Sequence, residues 1–183
     1  MPAQSLLRHW LAAYQPRDAD ERAFHDRMLS LAADDASPFA RTRFSPGHFT
    51  ASAFVVDPAG VGLLLIFHRK LTRWLQPGGH IEAADNDLLA AARREVGEET
   101  GLPDDALEPV GDGIFDIDIH PIPAHGVEPA HEHFDVRFAF RCRTQNLAPG
   151  AEVAGARWVA LNALASVGCD GSILRAAKKI AAL

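Results

Sequence analysis

The chain has 183 residues, 48% of them hydrophobic, which suffices for one globular domain with a real core and makes two domains unnecessary. Its formal net charge is −6 and no run of Lys or Arg exceeds two residues, so nothing predicts binding to nucleic acid or to an anionic membrane. The two cysteines form no CxxC motif, no apolar run is long enough to span a membrane, and the start of the chain lacks the apolar stretch of a signal peptide, which together predict a cytoplasmic protein.

Two helical patterns open the chain, over residues 5–14 and 18–35, and Pro16 separates them. Apolar side chains recur in both at helical spacing: Leu6, Leu7, Trp10 and Leu11, then Phe24, Met28, Leu29 and Leu31. They predict a helical pair, residues 1–36, packed on a main domain of residues 37–183. Its simplest role is to cover an edge or face of a sheet. Formation of a homodimer and capping of a substrate are the alternatives.

A β pattern follows, with apolar runs over residues 48–56 and 61–67. The segment Asp57-Pro58-Ala59-Gly60 between them predicts a turn, so the runs should form a hairpin of buried strands. Basic residues come at the end of the second run. Among them, Arg69 and Arg73 are candidates for contacts with substrate phosphates, although basic side chains at strand ends are commonly only solvated.

Residues 87–100 predict a helix, because good helix formers dominate and Pro is absent. Asp87 can cap its start, and Gly101 can end it in the left-handed conformation. At helical spacing, three carboxylates share a face about 100° wide: Glu95, Glu98 and Glu99. The predicted core stripe lies beside that face: Leu89, Ala92 and Val96.

Like charges in the last turn of a helix repel one another, and the helix macrodipole also disfavours anions there. Mg²⁺ or Mn²⁺ would compensate, since both prefer oxygen ligands and adjacent helical turns supply carboxylates. The alternative is a solvated acidic helix end, paired with Arg93 and Arg94. The preceding Gly78-Gly79 favours the metal site, because two glycines permit a turn and a close backbone approach.

Gly79, followed by Arg94-Glu95-Val96-Gly97-Glu98-Glu99-Thr100-Gly101-Leu102, resembles the Nudix box, Gly-x5-Glu-x7-Arg-Glu-hydrophobic-x-Glu-Glu-x-Gly-hydrophobic. The second half matches at every specified position. The first half departs, because 14 residues separate Gly79 from Arg94, one more than in the family pattern. Either Asp85 or Asn86 therefore stands where the family has its first Glu.

Beyond the box, residues 107–119 predict a strand and residues 120–130 a proline-broken loop that could wall a pocket. Residues 131–142 predict a strand whose apolar face belongs to the core. Its polar face could line the cleft: His131, His133, Asp135 and Arg137. His131 and His133 are candidates for substrate contact or proton transfer. The histidines of this region lack the compact spacing of a zinc motif, so we do not expect a zinc site there.

The C-terminal part predicts a loop over residues 144–151, a strand at the end of 152–161, a short helix over 162–167 and a last helix over 170–183. Glu152 stands six residues before Trp158. Nudix enzymes commonly draw a further carboxylate from the loop before such a strand. The resemblance thus suggests Glu152 as an extra metal ligand or general base, against the alternative of a solvated loop residue.

The resemblance implies an α/β/α sandwich with a mixed sheet over roughly residues 48–165, and hydrolysis of a diphosphate linkage in a nucleoside diphosphate derivative. It implies an Mg²⁺ or Mn²⁺ ion with these ligands: Glu95, Glu98, Glu99 and the carbonyl oxygen of Gly79. Arg94 would orient the glutamates. The general base stays open between Glu98, Glu152 and a pocket histidine.

Two other interpretations remain. A diphosphate isomerase of the same fold would need a cysteine in an early strand, whereas Cys142 and Cys169 both come late. A Nudix-fold nucleotide-binding or regulatory module would have lost catalysis, commonly by losing box glutamates, and all three are present here.

Overall fold

The computed structural model describes residues 3–34 and 37–183. The N-terminal helices are α1 (Ala3–Ala13) and α2 (Ala19–Ala33), and the Asp18 side chain caps α2 by accepting from the Glu21 amide at 2.8 Å. Both predicted helices are therefore confirmed. Residue 35, the predicted end of the second helix, lies outside the described residues. The domain boundary predicted after residue 36 also falls at this undescribed segment, residues 35–36.

The described strands form one mixed sheet: β1 (Gly47–Val56), β2 (Gly62–His68), β3 (Arg73–Leu75), β4 (Gly78–His80), β5 (Leu107–Pro109), β6 (Asp116–Ile122), β7 (His131–Cys142) and β8 (Val153–Ala160). The later helices are α3 (Leu88–Thr100) and α4 (Gly171–Ile180). The path through the sheet is β3-β2-β1-β7-β5, with β4 paired to β1, β6 to β7 and β8 to β2. At the centre, β1 runs parallel to β7 along its whole length.

Helices cover both faces of this sheet. On one face, apolar residues of β1 and β7 form a core with α1, α2 and α3: Phe49, Ala51, Val55, Phe134, Val136 and Phe138 against Leu7, Leu11, Met28, Ala92 and Val96. On the other face a smaller core packs against α4: Phe54, Val56, Leu63 and Leu65 against Ile173, Ala177 and Ile180. The predicted α/β class, with a mixed sheet between helices, is confirmed.

Buried charges fill the rest of the α4 face. Arg137 of β7 donates hydrogen bonds to three aspartates: Asp116, Asp118 and Asp135. From α4, Arg175 and Lys179 also reach Asp116, at 3.1 and 2.6 Å. Lys179 pairs in addition with Glu21 at the start of α2. Buried ion pairs therefore connect the N-terminal helical pair to α4.

The polar face of β7 was expected to line the cleft, and this is wrong for two of its residues. Asp135 and Arg137 are 3% and 2% exposed, because they belong to the buried ion network. The apolar residues of the same strand are in the core, as predicted.

Two strands, β5 and β6, take the place of the single strand predicted over residues 107–119. Both pair antiparallel with β7, β5 at its C-terminal end and β6 along its N-terminal part. The break contains Gly111, whose φ of +82° lies in the left-handed region that strands do not use. β6 then continues to Ile122, into residues predicted as loop. Pro121 is accommodated because β6 pairs on one side only, so its missing N–H can face away from the ladder.

The C-terminal elements differ from prediction in detail. The predicted short helix consists of two 3-10 turns, Leu161–Ala163 and Ala165–Val167, and the last helix ends at Ile180. Asp170 caps that helix by accepting from the amides of residues 172 and 173. None of the helices described is both long and apolar enough to cross a membrane.

Candidate active site

The three glutamates of α3 lie in its last two turns but differ in burial. Glu99 is buried, Glu95 is half-buried and Glu98 is exposed. The helix ends at Gly101, whose φ is +73° and whose amide donates to the carbonyl of Gly97. Of the predicted core stripe, Ala92 and Val96 are fully buried, and Leu89 is partly buried against the same core.

The two glycines of β4 lie against two of these carboxylates. The Gly78 amide donates a hydrogen bond to Glu99 Oε2 at 3.0 Å. A Cβ atom built on Gly79 would lie 2.4 Å from Glu95 Oε1, inside van der Waals contact. Glycine at position 79 therefore lets the Glu95 carboxylate lie against the backbone of β4.

Arg94 connects the glutamates to the loop before the helix. Its guanidinium donates to Glu95 Oε1 at 3.1 Å and to Glu98 Oε2 at 2.8 Å. It also donates to the carbonyl oxygen of His80 at 2.9 Å. One planar group with five donors thus fixes two carboxylates and the end of β4 together.

The remaining donors of Arg94 bind Asp85, in two parallel hydrogen bonds of 3.0 Å. The Asp85 side chain is only 5% exposed, whereas Asn86 is exposed. Of the two residues that could replace the first Glu of the box, Asp85 is therefore the one that contacts the site. Although burial opposes ionisation of Asp85, its hydrogen bonds with Arg94 lower its pKa, and the same bonds raise the pKa of Arg94.

Two of the helix glutamates, Glu95 and Glu99, have raised pKa values. Burial raises the pKa of Glu99 to about 8, despite the hydrogen bond from Gly78, and the negative charges of Glu95, Glu152 and Glu98 add to the effect. Burial also raises the pKa of Glu95, although Arg94 opposes this. The ionised forms of Glu95 and Glu99 are therefore not fully compensated by the adjacent protein groups.

Glu152 is brought to this cluster by the loop before β8. The Ala148 amide donates to the carbonyl of Thr100 at 2.8 Å, and the Gly150 amide donates to the carbonyl of Glu99 at 3.2 Å. A Cβ atom on Gly150 would lie 2.0 Å from the Glu98 carbonyl oxygen, so only glycine allows this contact. Glu152 is exposed, and its charge contributes to the raised pKa of both Glu95 and Glu99.

Arg69 and Arg73 are exposed at the turn between β2 and β3, and neither contacts the box glutamates. His68 of β2 is opposite Arg73 on one side and Val153 on the other. Since neighbouring strands are about 4.8 Å apart, Arg73 lies roughly 10 Å from the residue that follows Glu152. Arg73 thus lies toward the side of the site that carries Glu152, and Arg69 lies in the turn that precedes it.

His131 and His133 lie together on β7, beside two histidines that the sequence pattern did not reveal, His48 and His80. The ring centroids of His48 and His133 are 4.9 Å apart, and those of His80 and His133 are 5.1 Å apart. The parallel pairing of β1 with β7 places His48 opposite His133. Both strands alternate polar residues with apolar ones, but that pattern does not tell which strands are neighbours.

Comparisons with known proteins identify the family and the fold. A family model described as NUDIX domain matches residues 46–177. The structure of the E. coli dihydroneopterin triphosphate pyrophosphohydrolase is similar, with 16% identity, coverage of 72% of this chain and 92% of that chain, and a TM-score of 0.59. A C. elegans Ap4A hydrolase in a binary complex is similar at 17% identity, 73% and 95% coverage, and a TM-score of 0.54.

A third similar structure is the Nudix domain of Shewanella oneidensis NrtR in complex with ADP ribose, at 18% identity, 83% and 94% coverage, and a TM-score of 0.54. At these identities the similarity concerns the fold. No curated protein sequence matches the chain. The family model nevertheless spans most of the chain and includes the whole glycine, arginine and glutamate arrangement described above, so the chain belongs to the Nudix family.

Proposed function

We propose that this protein hydrolyses a diphosphate linkage in a nucleoside diphosphate derivative, with Mg²⁺ or Mn²⁺ as cofactor. The observation that carries the proposal is the imbalance of charge at the end of α3. Glu95 and Glu99 lie against β4, Glu98 lies beside them through Arg94, and Glu152 is nearby. In the described part of the chain Arg94 is the one cation paired with these glutamates. Arg94 is itself already paired with Asp85.

The donor set fits a hard divalent cation. All the available donors are oxygen atoms: the carboxylates of Glu95, Glu98 and Glu99 and the carbonyl of Gly79. The raised pKa of Glu99 is the expected property of a carboxylate whose compensating positive charge has to come from an ion. When bound, such an ion neutralises the diphosphate and makes water more acidic.

The protein's own groups have separate tasks in this scheme. Arg94 holds Glu95 and Glu98 in fixed positions through hydrogen bonds of 3.1 and 2.8 Å. Gly78 holds Glu99 through its amide. Glu152, which is exposed and anchored beside the cluster, is suited to serve as an extra ligand or to accept a proton from the attacking water.

Substrate contacts come from the two sides of this centre. Arg69 and Arg73 are exposed cations on the Glu152 side, suited to the phosphate oxygens of a small nucleotide. His131 and His133 lie on the β7 side, next to the end of β4 through the His80 ring. In this proposal the substrate lies over the carboxylates, between the two arginines on one side and the two histidines on the other.

The decisive experiment is chromatographic detection of the nucleoside monophosphate and the phosphorylated second product formed from a panel of nucleoside diphosphate derivatives, with Mg²⁺ and with excess EDTA. Glu98→Gln and Glu99→Gln should each lower kcat by at least about 10²-fold, because each removes a charge that stabilises the developing phosphoryl charge. Glu108→Gln is the matched control, since Glu108 is exposed on β5 and pairs with Arg143 instead.

Each alternative to the proposed function predicts a different result in this experiment. Full turnover in EDTA would exclude the metal. Binding of a nucleotide without turnover by the wild-type protein, unchanged in both glutamate variants, would favour a binding or regulatory module. Isomerisation of a diphosphate substrate would favour the isomerase, although Cys142 and Cys169 are both buried.

A further inference from the structure

Three histidines from three different strands meet on the polar face of the sheet: His48 of β1, His80 of β4 and His133 of β7. One ring nitrogen from each lies within 4.8 Å of the other two. The register explains the convergence, because β1 lies between β4 and β7, with His48 opposite His133 and Thr50 opposite His80.

His48 provides an independent sign that this cluster binds a ligand. Its side chain is fully buried, and its Nδ1 lies 3.0 Å from the carbonyl oxygen of Arg43. A carbonyl can only accept, so Nδ1 carries the proton and Nε2 carries the lone pair. Nε2 is buried and has no hydrogen-bond partner in the described structure. A buried acceptor without a partner is costly unless something binds to it.

This arrangement is the one that imidazole ligands of metals use. A ligating histidine donates its other N–H to a backbone carbonyl or carboxylate, which fixes the tautomer and the ring orientation. Two rings beside the three ligands are also held by hydrogen bonds, with His131 Nδ1 2.9 Å from the carbonyl of Pro129 and His120 Nδ1 3.3 Å from Asp118. The His131 ring also stacks on His48, at a centroid distance of 5.3 Å.

The distances permit coordination with small adjustments. Three atoms within 4.8 Å of one another all lie within about 2.8 Å of a common point, and Zn–N bonds are about 2.0–2.1 Å. Shifts below about 1 Å would therefore bring the three nitrogens to bonding distance, which side-chain rotation can provide.

A histidine cluster can instead bind an anion, but this requires protonated rings. Burial lowers the pKa of His48, and burial together with the neighbouring histidines lowers the pKa of His133. Because the Nδ1 proton of His48 is directed at the Arg43 carbonyl, the ring offers a lone pair at Nε2, which suits a cation.

We propose that His48, His80 and His133 form a second metal site, for Zn²⁺ or a similar late first-row divalent ion. Imidazole nitrogen suits these ions, whereas Mg²⁺ prefers the oxygen donors of the box glutamates, so the two sites differ in the metal they select. Three protein ligands leave a fourth position, which water or an oxygen atom of a small molecule can take. The site adjoins the carboxylates, because His80 follows Gly79 directly and its carbonyl binds Arg94.

The test is titration of the full-length, chelator-treated protein with Zn²⁺ alone, by calorimetry in excess Mg²⁺, so that the carboxylates are already occupied. We expect one tight Zn²⁺ site. His80→Ala and His133→Ala should each weaken it by about 10²-fold or more, beyond the loss typical of removing a supporting group. Co²⁺ should give the intense visible bands of a tetrahedral site in the wild type and lose them in both variants.

Two controls keep the result specific. His125→Ala changes an exposed histidine outside the cluster, and Glu99→Gln changes the carboxylate site; both should retain Zn²⁺ binding. His48→Ala is a third ligand variant, accompanied by circular dichroism because His48 is fully buried. Absence of tight Zn²⁺ binding in the wild type would overturn the proposal, as would binding that is lost in Glu99→Gln but kept in the folded histidine variants. Neither readout depends on the proposed hydrolysis.

Discussion

Asp85 and Arg94 form a two-point ion pair, Oδ1 to Nε and Oδ2 to Nη2, both at 3.0 Å. Asp85 belongs to the lengthened first half of the box, and Arg94 begins its second half. The pair therefore closes the loop onto the helix despite the additional residue. Since Arg94 in turn holds Glu95 and Glu98, Asp85 acts on the candidate active site through Arg94.

Asp85→Asn should lower kcat by about 10–100-fold, the range typical of groups that support metal ligands, because Arg94 would lose its charged partner. Asn86→Ala should leave kcat unchanged, since Asn86 is exposed. The two variants are compared by steady-state kinetics, together with Asp85→Glu. Equal activity of Asp85→Asn and wild type would show that the loop does not position the glutamates.

Gly79→Ala should lower the rate of the reaction and leave the Tm of the protein nearly unchanged. The added Cβ would meet the far end of the Glu95 side chain at 2.4 Å, and that side chain can move aside. A carboxylate displaced by about 1 Å can cost up to about 10²-fold in rate, while Tm should change little. Gly155→Ala is the control, because nothing lies within 4 Å of a Cβ there. A large loss of Tm with normal kcat would contradict this account.

Lys179→Met should lower the free energy of unfolding by up to about 3–5 kcal/mol, because buried Glu21 and Asp116 lose their nearest cation and keep only the longer contacts with Arg175 and, for Asp116, Arg137. Lys178→Met, on the exposed face of the same helix, should have little effect. Urea unfolding of both variants measures the difference. Equal stabilities would mean that the helical pair does not depend on this charge.

The histidine cluster should make the metal-free protein sensitive to mild acid. Burial lowers the pKa of His133 to about 2 and that of His80 to about 4, whereas an unperturbed histidine has a value of 6.5. Between pH 6.5 and 4 the unfolded chain therefore binds more protons. The stabilisation is complete above pH 6.5 and decreases as the pH falls, by about 1 kcal/mol per pH unit for each histidine.

Urea unfolding in EDTA at pH 7, 6 and 5 tests this expectation. His133→Asn should reduce the slope of unfolding free energy against pH, whereas His125→Asn should keep the wild-type slope because His125 is exposed. A slope unchanged by His133→Asn would show that His133 accepts a proton in the folded protein as readily as in the unfolded chain.

Elements that depend on local interactions were predicted from the sequence, whereas features that depend on contacts between distant segments were not. The strand His131–Cys142 and the helix Leu88–Thr100 were predicted within one residue, because their periodicity and caps are local. The site glutamates follow from the same helix. The division of residues 107–119 was not predicted, because the left-handed φ of Gly111 leaves no unambiguous pattern.

The histidine cluster could not be predicted for a different reason. His48 and His133 are paired through a parallel register between distant segments, and alternation alone does not specify the register or the neighbour of a strand. The place of Asp85 depended in the same way on a contact across the loop, with Arg94. Both features required the three-dimensional arrangement.

The last prediction concerns Glu152, which the loop holds beside Glu95 and Glu99. If it removes a proton from water or completes the metal site, Glu152→Gln should lower kcat by about 10²-fold or more with a smaller change in KM, because both tasks matter chiefly in the transition state. Glu108→Gln again serves as the exposed control.

The pH–rate profiles of wild type, Glu152→Gln and His133→Ala distinguish Glu152 from a histidine base. Because burial lowers the pKa of His133 to about 2, this ring stays uncharged across the range, and His133→Ala should leave the shape of the profile unchanged. Glu152→Gln should instead lower kcat at every pH. A Glu152→Gln enzyme with wild-type kcat at every pH would exclude Glu152 from the chemistry and leave Glu98 as the remaining carboxylate base.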